Sequence, residues 1–177
     1  MARDIFVTSD THFNHANILT FKDSVGKPTR EFSSVEEMNE TMIERWNSVV
    51  KPGDKVYHLG DVVFGVDKAG WMNANFPRLN GKKRLVVGNH DPIAVMAAGG
   101  WFGKIELWRQ FPEFGLLLTH VPVHESTLKE THRWGDVPMI NVHGHIHQNA
   151  SPTNRHRCVC VEQTNYTPVN IEELRVK

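Results

Sequence analysis

Five short runs rich in β-branched or large apolar residues each end in a cluster of Gly, Asp, Asn or His. That repetition limits the architecture of this chain more than any other feature of its sequence. The runs are Ile5–Asp10, Lys55–Asp61, Arg84–Asp91, Gly115–His120 and Ile140–His147, and runs this short read as buried strands bounded by turns. Between the first two, Val35, Met38, Met42, Trp46 and Val49 recur at three- and four-residue intervals, which predicts an amphipathic helix. Ser33 or Ser34, each with a glutamate three residues on (Glu36 or Glu37), offers a capping box, and Lys51-Pro52-Gly53 offers a stop. A second, weaker helix is expected over about Asp67 to Phe76. Alternating strands and helices in the first half predict an α/β layered domain with a parallel component and right-handed crossovers. The second half has strand runs near 105–110, 115–119, 140–143 and 157–162 with less helical pattern between them, so a second sheet of more mixed pairing is expected. Phe21 to Ser33 and Val121 to Pro138 read as loops around a site.

A length of 177 residues suits one domain. An apolar fraction of 40% with 23% charged residues excludes chain-wide disorder. Twenty Lys+Arg balance twenty Asp+Glu, so no global field favours nucleic acid or an anionic membrane. The uncharged stretch Pro92 to Gly103, twelve residues with three glycines, falls well short of the ~20 apolar residues of a membrane span. Asp4 interrupts the start where an export segment would need an apolar run, so a cytoplasmic protein without a membrane partner is expected. The two cysteines, Cys158 and Cys160, are spaced to share one face of a strand and read as reduced thiols with no disulfide partner.

In an open α/β sheet the ligand crevice lies beyond the carboxyl ends of the strands. Asp10 and His12 follow the first run, Asp61 the second, Asn89, His90 and Asp91 the third, His120 the fourth, and His145 with His147 the last. Alone, each has an ordinary explanation as a helix cap or a structural hydrogen-bonding group. Five coincident strand ends converging on one rim argue for ligands instead. Separations of about 25 to 50 residues are too wide for a zinc finger or a single-loop calcium site. Carboxylate, imidazole and one carboxamide, without thiolate, suit Mn, Fe, Zn, Ni or Co rather than Mg or Ca. The seven candidate ligands, Asp10, His12, Asp61, Asn89, His120, His145 and His147, exceed the needs of one ion, so two ions sharing a carboxylate are expected.

The blocks Asp10-Thr-His12, Gly60-Asp61, Gly88-Asn89-His90-Asp91, His120 and Gly144-His145-Ile-His147 resemble, in order and spacing along nearly the whole chain, the five signature motifs of the calcineurin-like metallophosphoesterases. Thr11-His12-Phe13-Asn14-His15, Glu44-Arg45-Trp46-Asn47 and Val56-Tyr57-His58-Leu59-Gly60-Asp61 are similar to small stand-alone bacterial and phage members. The resemblance implies a four-layer α/β/β/α sandwich of two mixed β-sheets flanked by helices, occupying residues 1–177 as one domain, with metals at the sheet rim. It implies that Asp10, His12, Asp61 and His147 hold one divalent transition-metal ion. Asp61, Asn89, His120 and His145 would hold the other, with manganese the first choice and iron, zinc, nickel or cobalt the alternatives. It further implies a metal-bridging hydroxide as nucleophile toward phosphorus and His90 as the acid that protonates the leaving group. Asp91 would orient His90 or act as a turn residue before Pro92.

The expected substrate is a phosphate ester, with a nucleotide or nucleic-acid end among the options. Ser/Thr protein phosphatases of that superfamily carry an Asp-Arg pair where this chain has Val62-Val63-Phe64-Gly65. A phosphodiesterase is therefore preferred, with a phosphomonoesterase or a nuclease as alternatives. A non-catalytic scaffold would be expected to have lost ligands, and all seven positions are filled. Arg30, Arg133, His124, His15 and His58 are candidates for phosphate contacts or for supporting the ligands, with surface or structural roles as the alternative. Lys82, Lys83, Arg84, Arg155 and Arg157 offer a local basic patch or ordinary surface charge. Trp101 and Trp108 read as core, while Trp134, in a loop, is open to base stacking.

Overall fold

The computed structural model describes residues 3–23, 25–128 and 139–175. It is an α/β fold of two mixed sheets flanked by helices. The first sheet contains β1 (Ile5–Thr8), β2 (Lys55–His58), β3 (Lys82–Val86), β4 (Ile105–Glu106) and, from the far end of the chain, β9 (Val169–Asn170). Its spatial order is β4-β3-β2-β1-β9, parallel except for β9, which runs antiparallel to β1. The second sheet is ordered β5 (Trp108–Phe111), β6 (Leu116–Thr119), β7 (Ile140–His143), β8 (His156–Cys158), with only the β5–β6 pairing antiparallel.

Strand parity decides what each face buries. Phe6, Val56 and Leu85 point to one side of the first sheet and pack with Met38, Met42 and Trp46 of α1 (Val35–Val49) and Met72 of α2 (Lys68–Asn75). Val7, Tyr57 and Val86 point to the other side and meet Phe111, Leu116, Leu118 and Val142 of the second sheet. Each such fully buried side chain contributes ~1.5–3 kcal/mol. Helix α1 starts where Ser34 Oγ accepts the Glu37 N–H (3.1 Å) while Glu37 reaches back to the Ser33 N–H (2.7 Å). Helix α2 starts where Asp67 accepts the Gly70 N–H (2.8 Å). Both predicted helices are present close to their expected bounds.

Other elements go beyond the expected pattern or depart from it. The uncharged stretch after Pro92 forms a helix, α3 (Ile93–Ala98), that inserts Met96 into the first core. The run expected as strand over 157–162 pairs only through Cys158. Beyond it, Cys160 bridges to Ser9, and Val161–Gln163 turns as a 3-10 helix, because Val161 has to enter the first core. A short helix α4 (Ile171–Leu174) follows β9. Cys158 and Cys160 are free thiols, and among the described residues no helix is long and apolar enough to cross a membrane.

Candidate metal centre

The C-terminal ends of β1, β2, β3, β6 and β7 open onto one rim, and backbone hydrogen bonds lace their following turns together. Asp10 N–H donates to Gly60 O (3.0 Å), His12 N–H to Asp61 O (3.0 Å), and Gly144 N–H to His120 O (2.8 Å). Gly60, at φ +94°, leaves room for the β3 turn: a Cβ there would lie 2.4 Å from the Gly88 nitrogen. At Gly144 a Cβ would lie 2.2 Å from Asp10 Oδ2. Asp10, His12, Asp61, His145 and His147 all adopt left-handed backbone, with φ between 44° and 70°. This conformation costs a non-glycine residue on the order of 1–3 kcal/mol and collects at functional sites. Five of the seven expected ligands carry that strain.

The side chains form two adjoining clusters, Asp10–His12–His147 and Asp61–His120–His145, each able to present its ligand atoms within 4.8 Å of one another. In the first, His12 Nε2 lies 3.8 Å and His147 Nε2 4.0 Å from Asp10 Oδ1. In the second, His120 Nε2 lies 2.8 Å from Asn89 Oδ1 and 3.2 Å from His145 Nδ1, and His145 Nδ1 lies 3.0 Å from Asn89 Oδ1. Asp61 Oδ2 stands between them, 3.6 Å from His12 Nε2 and 3.5 Å from His120 Nε2. Ligand atoms at ~2.0–2.2 Å from one cation lie roughly 3.0–3.5 Å apart, so these spacings fit cation coordination after slight contraction. Asp10 Oδ1 and His12 Nε2, the His12 nitrogen that faces Asp10 and Asp61, are buried without a hydrogen-bond partner, a costly arrangement that a bound cation would relieve. All seven expected ligands are thus brought together.

The surroundings set the tautomers. His120 Nδ1–H donates to Leu59 O (2.7 Å) and His147 Nδ1–H to Glu162 Oε1 (2.9 Å), leaving both Nε2 lone pairs facing the centre. Ser9 Oγ–H (2.5 Å), His145 N–H (2.8 Å) and the Cys160 thiol (3.2 Å) converge on Asp10 Oδ2, so Oδ1 alone points inward. Burial pushes the Asp10 carboxyl up, but the neighbouring His12, the fields of His120 and His147 and the Ser9 hydroxyl outweigh it and hold the group below the usual carboxylate range. Burial lowers His145. In His147 burial also lowers, but Glu162 wins and the ring is raised.

Glu162 was not expected from the sequence. It sits on the 3-10 turn after β8, takes Arg30 Nε (2.8 Å) and Nη2 (2.7 Å), and no motif marks it. Arg30 also donates to Thr11 O (2.7 Å) and Asp10 O (2.6 Å), which makes it a buried brace for the β1 turn rather than a phosphate contact. His58 is fully buried: its Nδ1 accepts the Gly60 N–H (3.2 Å), and Nε2–H donates to Thr11 Oγ1 (2.9 Å), whose hydroxyl donates to Val62 O (2.7 Å). His124 caps a turn by accepting the Ser126 N–H (3.2 Å).

His90 has its backbone N–H on Asp61 Oδ1 (2.9 Å) and its carbonyl under Lys68 Nζ (2.8 Å). Its ring lies at the mouth of the centre, 5.8 Å from the His12 ring and edge-on to Phe64 at 5.3 Å. His15 stacks on Phe64 at 4.0 Å, and burial with the nearby His12 and Arg30 lowers its pKa to about 4. Asp91 does not orient His90. Its carboxylate accepts the N–H groups of Asp61 (2.9 Å), Val62 (3.0 Å) and Gly88 (2.9 Å), tying the β2 turn to the β3 turn, and among the described residues no hydrogen bond joins it to the His90 ring.

The basic patch is partly dismantled: Lys83 Nζ donates to Leu79 O (2.5 Å) and Arg155 to the carbonyls of Leu128 and Met139, while Arg84 reaches Tyr57 Oη (3.2 Å). Trp108, expected in the core, is 57% exposed, whereas Trp101 is half-buried and donates to Asn73 Oδ1 (3.0 Å). Arg133 and Trp134 lie outside the described residues.

No family model matches the chain. It is 36% identical to the uncharacterized protein MJ1445 of Methanocaldococcus jannaschii, over 96% of this chain and 88% of the relative. It is 29% identical to the Gene 66 protein of Mycobacterium phage L5, over 79% of this chain and 75% of the relative. Among solved structures, a protein of unknown function from Aquifex aeolicus, AQ665, superposes with a TM-score of 0.71 at 25% identity, covering 98% of both chains.

Proposed function

Starting from the chain's membership of the family that includes the Methanocaldococcus jannaschii protein MJ1445, we propose that it is a dinuclear metal-dependent phosphohydrolase with a four-layer metallophosphoesterase fold and a preference for phosphodiesters. The observation that carries this reading is the position of Asp61 Oδ2, 3.6 and 3.5 Å from the inward nitrogens of His12 and His120, between two clusters whose other members are free to ligate. Asp10, His12, Asp61 and His147 would hold one ion, and Asp61, Asn89, His120 and His145 the other, manganese being the first choice. Such a pair supplies Lewis acidity at phosphoryl oxygens and lowers the pKa of water toward neutrality.

The chain's own residues do the rest. His90 donates the proton to the leaving oxygen: its backbone is fixed at both ends while its ring lines a cavity of about 470 Å³ together with His12, His15, Phe64 and His147. Phe64 and neutral His15 form one wall of that cavity and limit water beside the departing group. On the opposite flank a second cavity of about 680 Å³ shares Asn89 and His120 with the centre. Two flanking cavities suit the two substituents of a diester. Arg30, committed to Glu162 and two backbone carbonyls, is not free to clamp the extra charge of a monoester. Comparing bis(p-nitrophenyl) phosphate with p-nitrophenyl phosphate after loading with Mn, Ni, Co, Zn or Mg tests the reading. Higher kcat/KM on the diester is expected, and faster monoester turnover would overturn the preference.

A further inference from the structure

The larger cavity has a built floor. On β5, Trp108 and Gln110 project to the same side, and their cross-strand partners on β6, Thr119 and Leu117, project with them. The strand that carries this floor runs directly into His120, so the floor and one metal cluster share a rigid element. Leu107, Trp108 and Val121, three of the seven large apolar side chains exposed among the described residues, rim this one cavity. Exposed apolar surface gathered in one place marks a binding surface rather than ordinary scatter. The described lining holds no Lys, Arg, Asp or Glu, so its occupant is uncharged. A purely aliphatic occupant would leave the Gln110 amide without a partner, whereas a planar ring with polar edges can use both the amide and the indole face.

We infer that this cavity receives a nucleobase, as the retained substituent of a phosphodiester, stacked on Trp108 and read at its edge by Gln110. The inference rests on the phosphodiesterase reading above, since Asn89 and His120 are the groups that place the phosphoryl end at the cavity mouth. The leaving group then departs through the opposite cavity, on the side of His90. Trp108 is thereby a specificity residue for the substrate's retained half.

The test uses three diesters with the same p-nitrophenol leaving group and different retained substituents: methyl, n-hexyl and 5′-thymidyl. With the manganese-loaded wild-type protein, the thymidyl ester should exceed the methyl ester in kcat/KM by about 10-fold or more, the gain that stacking one base brings. Trp108→Ala should bring that ratio toward 1, and Trp108→Phe should restore most of it. Calorimetry supplies a readout free of turnover: thymidine 5′-monophosphate should bind tighter than inorganic phosphate, and Trp108→Ala should remove the difference. No turnover of any of the three diesters by the wild-type protein would overturn the phosphodiesterase reading itself. Turnover of the methyl ester with no thymidyl gain, or with an equal gain for hexyl, would overturn the nucleobase assignment alone. Because Trp108 is exposed on an edge strand, its replacement leaves both cores intact.

Discussion

Replacing Glu162 by Gln probes how the first cluster is held, because it keeps the shape of the side chain and removes its charge. Glu162 Oε1 takes three charge-assisted contacts, from Arg30 Nε (2.8 Å), Arg30 Nη2 (2.7 Å) and His147 Nδ1 (2.9 Å), and the two partners Arg30 and Glu162 are 0% and 3% exposed. A hydrogen bond to a charged group is worth ~1.5–3 kcal/mol against ~0.5–1.5 for a neutral one, so three weakened contacts cost about 3 kcal/mol. That agrees with the lower end of the ~3–5 kcal/mol for breaking a buried ion pair, as it should, since Arg30 keeps Thr11 O and Asp10 O. At ~2–4 °C per kcal/mol for a chain of this size, the metal-free protein should melt ~6–12 °C lower. Glu162 also fixes the tautomer and basicity of His147, and losing such a support typically costs 10–100-fold in metal affinity. Chelator-competition titration of Glu162→Gln should therefore show one weakened site of two. An unchanged melting temperature, or equal weakening of both sites, would refute the reasoning.

Gly144→Ala should also act on the first cluster: its Cβ would fall 2.0 Å from Ser9 Oγ and 2.2 Å from Asp10 Oδ2, so Asp10 must turn, costing ~1–3 kcal/mol and weakening one ion; wild-type melting and affinity would contradict this. Burial lowers the pKa of His58 from 6.5 to about 3, so between those values the unfolded chain binds a proton that the folded chain rejects. Its contribution to stability is full above about pH 6.5 and falls on acidification by ~1.4 kcal/mol per unit. His58→Gln should flatten the slope of stability against pH in that window, and an unchanged slope would exclude His58 as its source. His90→Ala should keep both ions and lose 10²–10⁴-fold on diesters with poor alkyl leaving groups while sparing p-nitrophenyl esters; equal loss on all esters would remove His90 from the acid role.

The strand ends and the ligand set were legible because two signals coincide there: an apolar run too short for a helix, and polar residues at its carboxyl end. α1 was legible through its period and caps. What escaped the sequence depends on contacts between distant segments. Glu162 lies in a turn with no pattern of its own, and only the fold brings it to Arg30 and His147. Ile93–Ala98 is apolar all round, so it has no period to read, and it buries only Met96. Asp91 looked like a partner for the adjacent imidazole, yet three backbone N–H groups claim its carboxylate. Trp108 carries the apolar signal of a core residue; its exposure follows from its place on β5 at the open side of the second sheet, which no local pattern encodes.

Equilibrium dialysis of the wild-type chain against manganese, with the bound metal counted at saturation, bears most directly on the pairing of clusters across Asp61. Two ions per chain are expected, and a plateau at one or none would contradict a dinuclear centre.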